Sequence, residues 1–74
     1  MSRIPKRTTY RIFIRDGRST FYLQDIIVHD KKSNPVFNTE ISRAMTFFGF
    51  DAAKKMRDRL VAMNYHPHIE QIGS

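Results

Sequence analysis

Arg11, Phe13 and Arg15 alternate along "TYRIFIRD", Thr9–Asp16. Alternate residues of a strand share one face, so two guanidiniums flank one aromatic ring there. Arg pairs bidentately with phosphate oxygens. An exposed ring stacks a base, worth ~1–3 kcal/mol in single-strand binders. RNA-recognition sheets combine an aromatic face with a basic rim in this way. The consensus of that fold, "K/R-G-F/Y-G/A-F-V-x-F/Y", is absent. A purely structural explanation competes: Phe13 packs across the strands on Tyr22 or Ile27, and the Arg stems cover the rings.

His66, His68 and Glu70 form a second set, in "YHPHIEQI", Tyr65–Ile72. At alternate strand positions both imidazoles and the carboxylate point to one side, a donor set open to a divalent metal. Three ligands on one short strand make a weak site and match no fixed-spacing signature. Imidazoles also serve acid–base catalysis, but no nucleophile or transition-state stabiliser accompanies them. Surface histidines of an edge strand are the expectation. No cofactor or metal is expected. The chain also has no Gly-rich phosphate loop, Ser/His/Asp set or paired-carboxylate site, so it is expected not to be an enzyme.

These side chains need elements to hold them. Tyr10–Arg15 reads as a strand with Tyr10, Ile12 and Ile14 on its buried side. Asp16-Gly17 is a hairpin signal. The next strand, about Thr20–His29, changes phase midway: Phe21 and Leu23 share one face, Ile26 and Val28 the other. One extra residue at Gln24-Asp25 restores a single buried face, which predicts a β-bulge and leaves Ile27 outside with Tyr22. Asp30–Pro35 reads as a loop, because Asn and Ser supply turn chemistry and Pro35 biases Asn34 away from helix. Val36-Phe37 starts a possible further strand, and Ile41–Phe48 reads as a strand.

From Phe50 to Met63 the apolar residues Ala53, Met56, Leu60 and Met63 recur at three and four, which predicts an amphipathic helix. Asp51 suits its first turn and pairs with Lys55. Asn64 suits the left-handed position that ends it. Tyr65–Ile72 reads as a strand that Pro67 confines to an edge. The fold class is therefore α+β: a small antiparallel sheet of three to four strands with one helix on one face, β-β-β-α-β. Residues 1–8 read as a flexible basic arm and residues 9–74 as the single domain. One helix leaves the other sheet face to solvent or to a partner.

The 74 residues carry thirteen Lys and Arg against seven Asp and Glu, a net +6. Residues 1–24 hold six bases and Asp16, a net of +5, so nearly all the excess lies in the first third. That asymmetry points to a polyanion, most commonly nucleic acid. Cysteine is absent and no apolar run nears the ~20 residues of a membrane span. The expectation is a soluble, cytoplasmic protein with no membrane partner. Lys31 and Lys32 occupy the expected loop, within reach of a phosphate backbone. Phe47, Phe48 and Phe50 crowd the approach to the helix, more rings than so small a core easily buries. With the edge strand at Ile69–Ile72, they suggest a homodimer.

The stretch "AMTFFGFDAAKKMRDRL", Ala44–Leu60, with the length and charge of the chain, resembles the small accessory proteins of tailed bacteriophages. The resemblance implies a counter-defence factor that binds a host nuclease, polymerase or toxin in the host cytoplasm. A basic member is similar to phage inhibitors of toxin–antitoxin ribonucleases, some of which work through RNA. The functional expectation is a non-enzymatic nucleic-acid-binding module, RNA or another single strand favoured. Lys6, Arg7, Arg11, Phe13, Arg15, Arg18, Lys31 and Lys32 would make the contacts. The alternative is an inhibitor whose basic face docks on an acidic host protein.

Overall fold

Two tight turns and a run of alternating apolar residues fold the first half of the chain into a three-strand meander. The computed structural model that shows it describes residues 8–73. Strand β1, Thr9–Asp16, runs antiparallel to β2, Ser19–His29, and β2 antiparallel to β3, Lys32–Asn38. Gly17 turns the first hairpin at φ 62°, a positive value that suits the first central position of a two-residue loop. Asp30 and Lys31 turn the second, both at positive φ. The expected loop Asp30–Pro35 is thus only those two residues. Lys32–Pro35 belong to a strand, and Pro35 is tolerated because β3 is an edge.

The expected bulge is present. Leu23 faces Phe37 while Asp25 faces Val36, so Gln24 is the extra residue. Leu23 is fully buried, and Ile26 packs against the same core from the same face. The carboxylate of Asp25 accepts the Ile26 N–H at 2.8 Å. Ile27 lies outside, as expected.

Beyond β3 the expected strand Ile41–Phe48 is mostly irregular. Ile41–Arg43 is a single 3₁₀ turn, and only Phe47–Phe48 is extended and paired, as β4. The reason lies at the bulge. Both β2 and β5, His68–Gly73, pair with Phe13, so they take opposite edges of β1. Both β4 and β5 pair with Thr9 and Tyr10, so β4 shares the β2 edge. As β2 leaves β1 near its bulge, β4 takes over. The Met45 N–H donates to the Leu23 carbonyl at 2.8 Å, just before β4 begins. Strand β4 pairs with two residues of β1, Thr9 and Tyr10.

Helix α1, Phe50–Ala62, lies over one face of this five-stranded antiparallel sheet, so the α+β class holds with one strand more than expected. Ala53 and Leu60 are buried with Ile12, Leu23 and Phe47, and Met56 and Met63 pack beside them. Ile14, expected under the helix, is only half-buried and stands outside that cluster. Asn64, at φ 72°, ends the helix as expected. The Asn64 and Tyr65 N–H groups donate back to the Val61 and Leu60 carbonyls, both at 3.0 Å, a Schellman closure. The Asp51–Lys55 pair is not among the ion pairs of the described residues. Strand β5 starts just after Pro67 and forms the second edge. Of the crowded phenylalanines Phe47 is core, whereas Phe48 and Phe50 stay exposed. The expected arm, 1–8, lies outside the described residues up to Arg7, and the Thr8 carbonyl accepts the Gly49 N–H at 3.1 Å. No helix of the described residues is long and apolar enough to cross a membrane.

Candidate nucleic-acid interface

The face away from the helix carries a row of rings. Register places Phe13 opposite Tyr22 on β2 and opposite His68 on β5. Residues paired across antiparallel strands share a face, so the three side chains stand side by side on three strands. The Phe13 and His68 rings stack at 5.2 Å between centroids and 27° between planes. Phe13 and Tyr22 meet at 6.1 Å and 57°. The Arg15 guanidinium carbon lies 5.7 Å from the Phe13 centroid, and that of Arg11 lies 5.4 Å from the Tyr22 centroid.

This arrangement joins the two explanations weighed for Arg11, Phe13 and Arg15. All three point away from the helix, and Phe13 does pack on Tyr22. Phe13 is half-buried and flanked by two rings and a guanidinium. The exposed members are its neighbours, Arg15 and His68. Both carry flat π-systems on which a base can stack. Phe13 is the wall that holds them apart and upright.

Arg11 has a different part. Its Nε donates to Glu70 Oε2 at 2.6 Å, from directly opposite on β5. The Arg11 side chain is only 17% exposed. The hydrogen bond from Arg11 holds the Glu70 carboxyl below the ordinary carboxylate range; partial burial opposes this and the guanidinium charge adds to it. Arg11 is raised in turn, chiefly by the same bond. The pair joins β1 to β5 and sets Arg11 against Tyr22. Arg11 therefore positions the row, and Arg15 is the cation left open beside it.

The remaining expected contacts do not form one cluster. Arg18 is exposed in the β1–β2 turn, on the Arg15 side of the row. Lys31 and Lys32 are exposed at the other hairpin, with Lys32 opposite His29. The two turns sit at opposite ends of β2, about 30 Å apart at the usual rise per residue. Lys6 and Arg7 lie outside the described residues.

Beside Tyr22 stands an amide relay. Asn38, opposite Tyr22, donates from Nδ2 to Gln24 Oε1 at 3.0 Å and accepts the Glu40 N–H on Oδ1 at 2.9 Å. Beyond the other end of the row, His68 helps to line a shallow cleft with Val61, Asn64, Tyr65, His66 and Pro67. His68 thus belongs to both the row and the cleft wall, and His66 to the cleft wall. Glu70 is engaged by Arg11, and no group of three metal-ligating side chains occurs among the described residues.

The alternation of β1 places Phe13 at the centre with Tyr22 as its cross-strand neighbour, but it gives no sign of His68 as the partner on the other side. The signal was the shared alternation of "RIFIR" and "HIE", which becomes a row only once β5 is set beside β1. No known protein family, no curated protein and no solved structure matches this chain.

Proposed function

We propose that this is a non-enzymatic module that binds single-stranded nucleic acid, RNA favoured, across the sheet face opposite the helix. The observation that carries the reading is the row Tyr22–Phe13–His68, left uncovered by α1 and edged by Arg15. Bases stack on His68 and on the Arg15 guanidinium, and the phosphates run toward Arg15 and Arg18. A side-by-side row suits an unpaired strand, whose bases splay and stack in succession. A duplex keeps its bases internally stacked and has nothing to offer this face. The resemblance at Ala44–Leu60 supplies a context, a phage counter-defence factor acting through RNA on a host nuclease or toxin.

Fluorescence anisotropy with a labelled ten-nucleotide RNA tests the reading. Binding is expected at low salt, weakening linearly on a log–log salt plot. His68→Ala is expected to cost ~1–3 kcal/mol, and a duplex of equal length is expected to bind far more weakly. Equal affinity for duplex and single strand would refute stacking as the basis. A second reading, an inhibitor docked on an acidic host protein, is favoured by Phe48 and Phe50, exposed at 63% and 47%. Nucleic-acid-free protein at low salt, with no RNA binding, would favour it.

A further inference from the structure

Phe48 stands on the same open face as the ring row, toward the other end of β1. Paired residues of antiparallel strands share a face, and Phe48 lies opposite Thr9. Thr9, Arg11, Phe13 and Arg15 alternate along β1, so Phe48 joins them on the side away from α1. The next pair has the opposite sense: Phe47 lies opposite Tyr10, Phe47 is core, and Tyr10 packs against that core. Phe48 is 63% exposed and belongs to no aromatic pair among the described residues. Phe50 differs. Both phenylalanines border a cleft with Thr8, Tyr10 and Gly49. Gly49 turns the chain between them at φ 96°, and the Phe50 ring sits edge-on to Tyr10, at 5.7 Å and 72°, on the helix side.

We infer that Phe48 is a second base-stacking platform, so that the bound strand runs along β1 from the Arg18 turn, across the row, to β4. The inference rests on the single-strand reading above. Thr9 and Phe13 are four residues apart, which sets the two platforms about 14 Å apart at the usual rise per residue. Arg11 and Tyr22 lie between them. Glu70 stands there too, but its carboxylate is engaged by Arg11. An exposed phenylalanine ring accepts any base on its π-face, so Phe48 adds affinity without choosing among sequences. The ligand it favours is an unpaired strand long enough to reach from His68 to Phe48.

The test measures anisotropy of labelled ten-nucleotide oligouridine with the full chain, beside urea unfolding of each variant. Phe48→Leu keeps apolar bulk at an exposed position and removes the π-face. Its urea midpoint is expected to match wild type, while affinity falls on the order of five- to a hundredfold, the size of one lost base stack. The log–log salt slope should not change, because no phosphate contact is removed. Phe48→Trp should bind at least as tightly as wild type, a rescue that a purely structural role would not produce. Phe50→Leu, on the helix side, should bind as wild type does. Wild-type affinity in Phe48→Leu, with His68→Ala still weakened, would overturn the inference and leave the single-strand reading standing. So would Phe48→Trp binding as weakly as Phe48→Leu, or Phe50→Leu losing as much affinity as Phe48→Leu. Failure of the wild-type protein to bind oligouridine would overturn both.

Discussion

Arg11 Nε meets Glu70 Oε2 at 2.6 Å across neighbouring strands, on the sheet face that α1 leaves open. A residue that composition marks as a phosphate contact is thus partnered within the fold. What it does instead is join β5 to β1 and hold the ring row in register. The same bond gives the protein a pH dependence. The Glu70 carboxyl is depressed in the folded state, so the pair's contribution is fully present above the ordinary carboxylate value of the unfolded chain. It is lost as pH falls through the lower folded value. Tm measured from neutral to strongly acid pH is expected to show Glu70→Gln less stable than wild type at pH 7, with the gap closing under acid. A gap that stays constant into acid would show that the pair contributes nothing to stability.

The same substitution acts on binding with the opposite sign. Releasing Arg11 from Glu70 adds one open cation beside the row. Glu70→Gln is expected to steepen the log–log salt dependence by about 0.7, one phosphate contact on a single strand. Arg15→Gln is expected to flatten it by about 0.7. Lys54→Gln, on the exposed face of α1, is the control and should leave the slope alone.

Phe13→Ala and His68→Ala separate the wall from the platform. Phe13 contacts two rings and a guanidinium, so its loss is expected to cost about 1–2 kcal/mol of stability, from cross-strand aromatic pairs. His68 is exposed on an edge strand and contacts one ring, so its loss should lower RNA affinity with a smaller effect on Tm. Urea unfolding beside anisotropy checks both, and a larger stability loss for His68→Ala would reverse the assignment.

Asn64 carries the helix ending at φ 72°. Asn64→Ala is expected to cost about 1 kcal/mol, because a Cβ without a polar partner disfavours the left-handed region. Asn64→Gly should be neutral or stabilising. Urea midpoints ranking Ala at or above Gly would contradict the Schellman closure at Leu60–Tyr65.

Much of this fold can be read from sequence, and the parts that can share a cause. The bulge at Gln24 follows from a phase change between Leu23 and Ile26, and α1 from its three-and-four spacing; both are local patterns. Of strand β3 only Val36-Phe37 reads as extended; its first half is hidden because Pro35, Asn34 and Ser33 all suggest a loop, and because its true turn, Asp30-Lys31, lacks glycine. Ile41–Phe48 alternates like a strand, yet only two residues find an unpaired stretch of β1 where β2 departs. The site divides in the same way. Arg11, Phe13 and Arg15 share a face by simple alternation. That Glu70 engages Arg11, and that His68 completes the row, depends on pairing strands 59 residues apart in sequence. No local pattern carries that information.

Whether the ring row is the binding face is read directly from a map of backbone amide chemical shifts in isotope-labelled protein as unlabelled oligouridine is added at low salt. Perturbations are expected at Arg11, Phe13, Arg15, Tyr22, Gln24 and His68, extending to Arg18, with Lys54, Lys55 and Arg59 of α1 unmoved. Perturbations confined to α1 or to Phe48 and Phe50, or no perturbation at all, would contradict the ring row as the binding face.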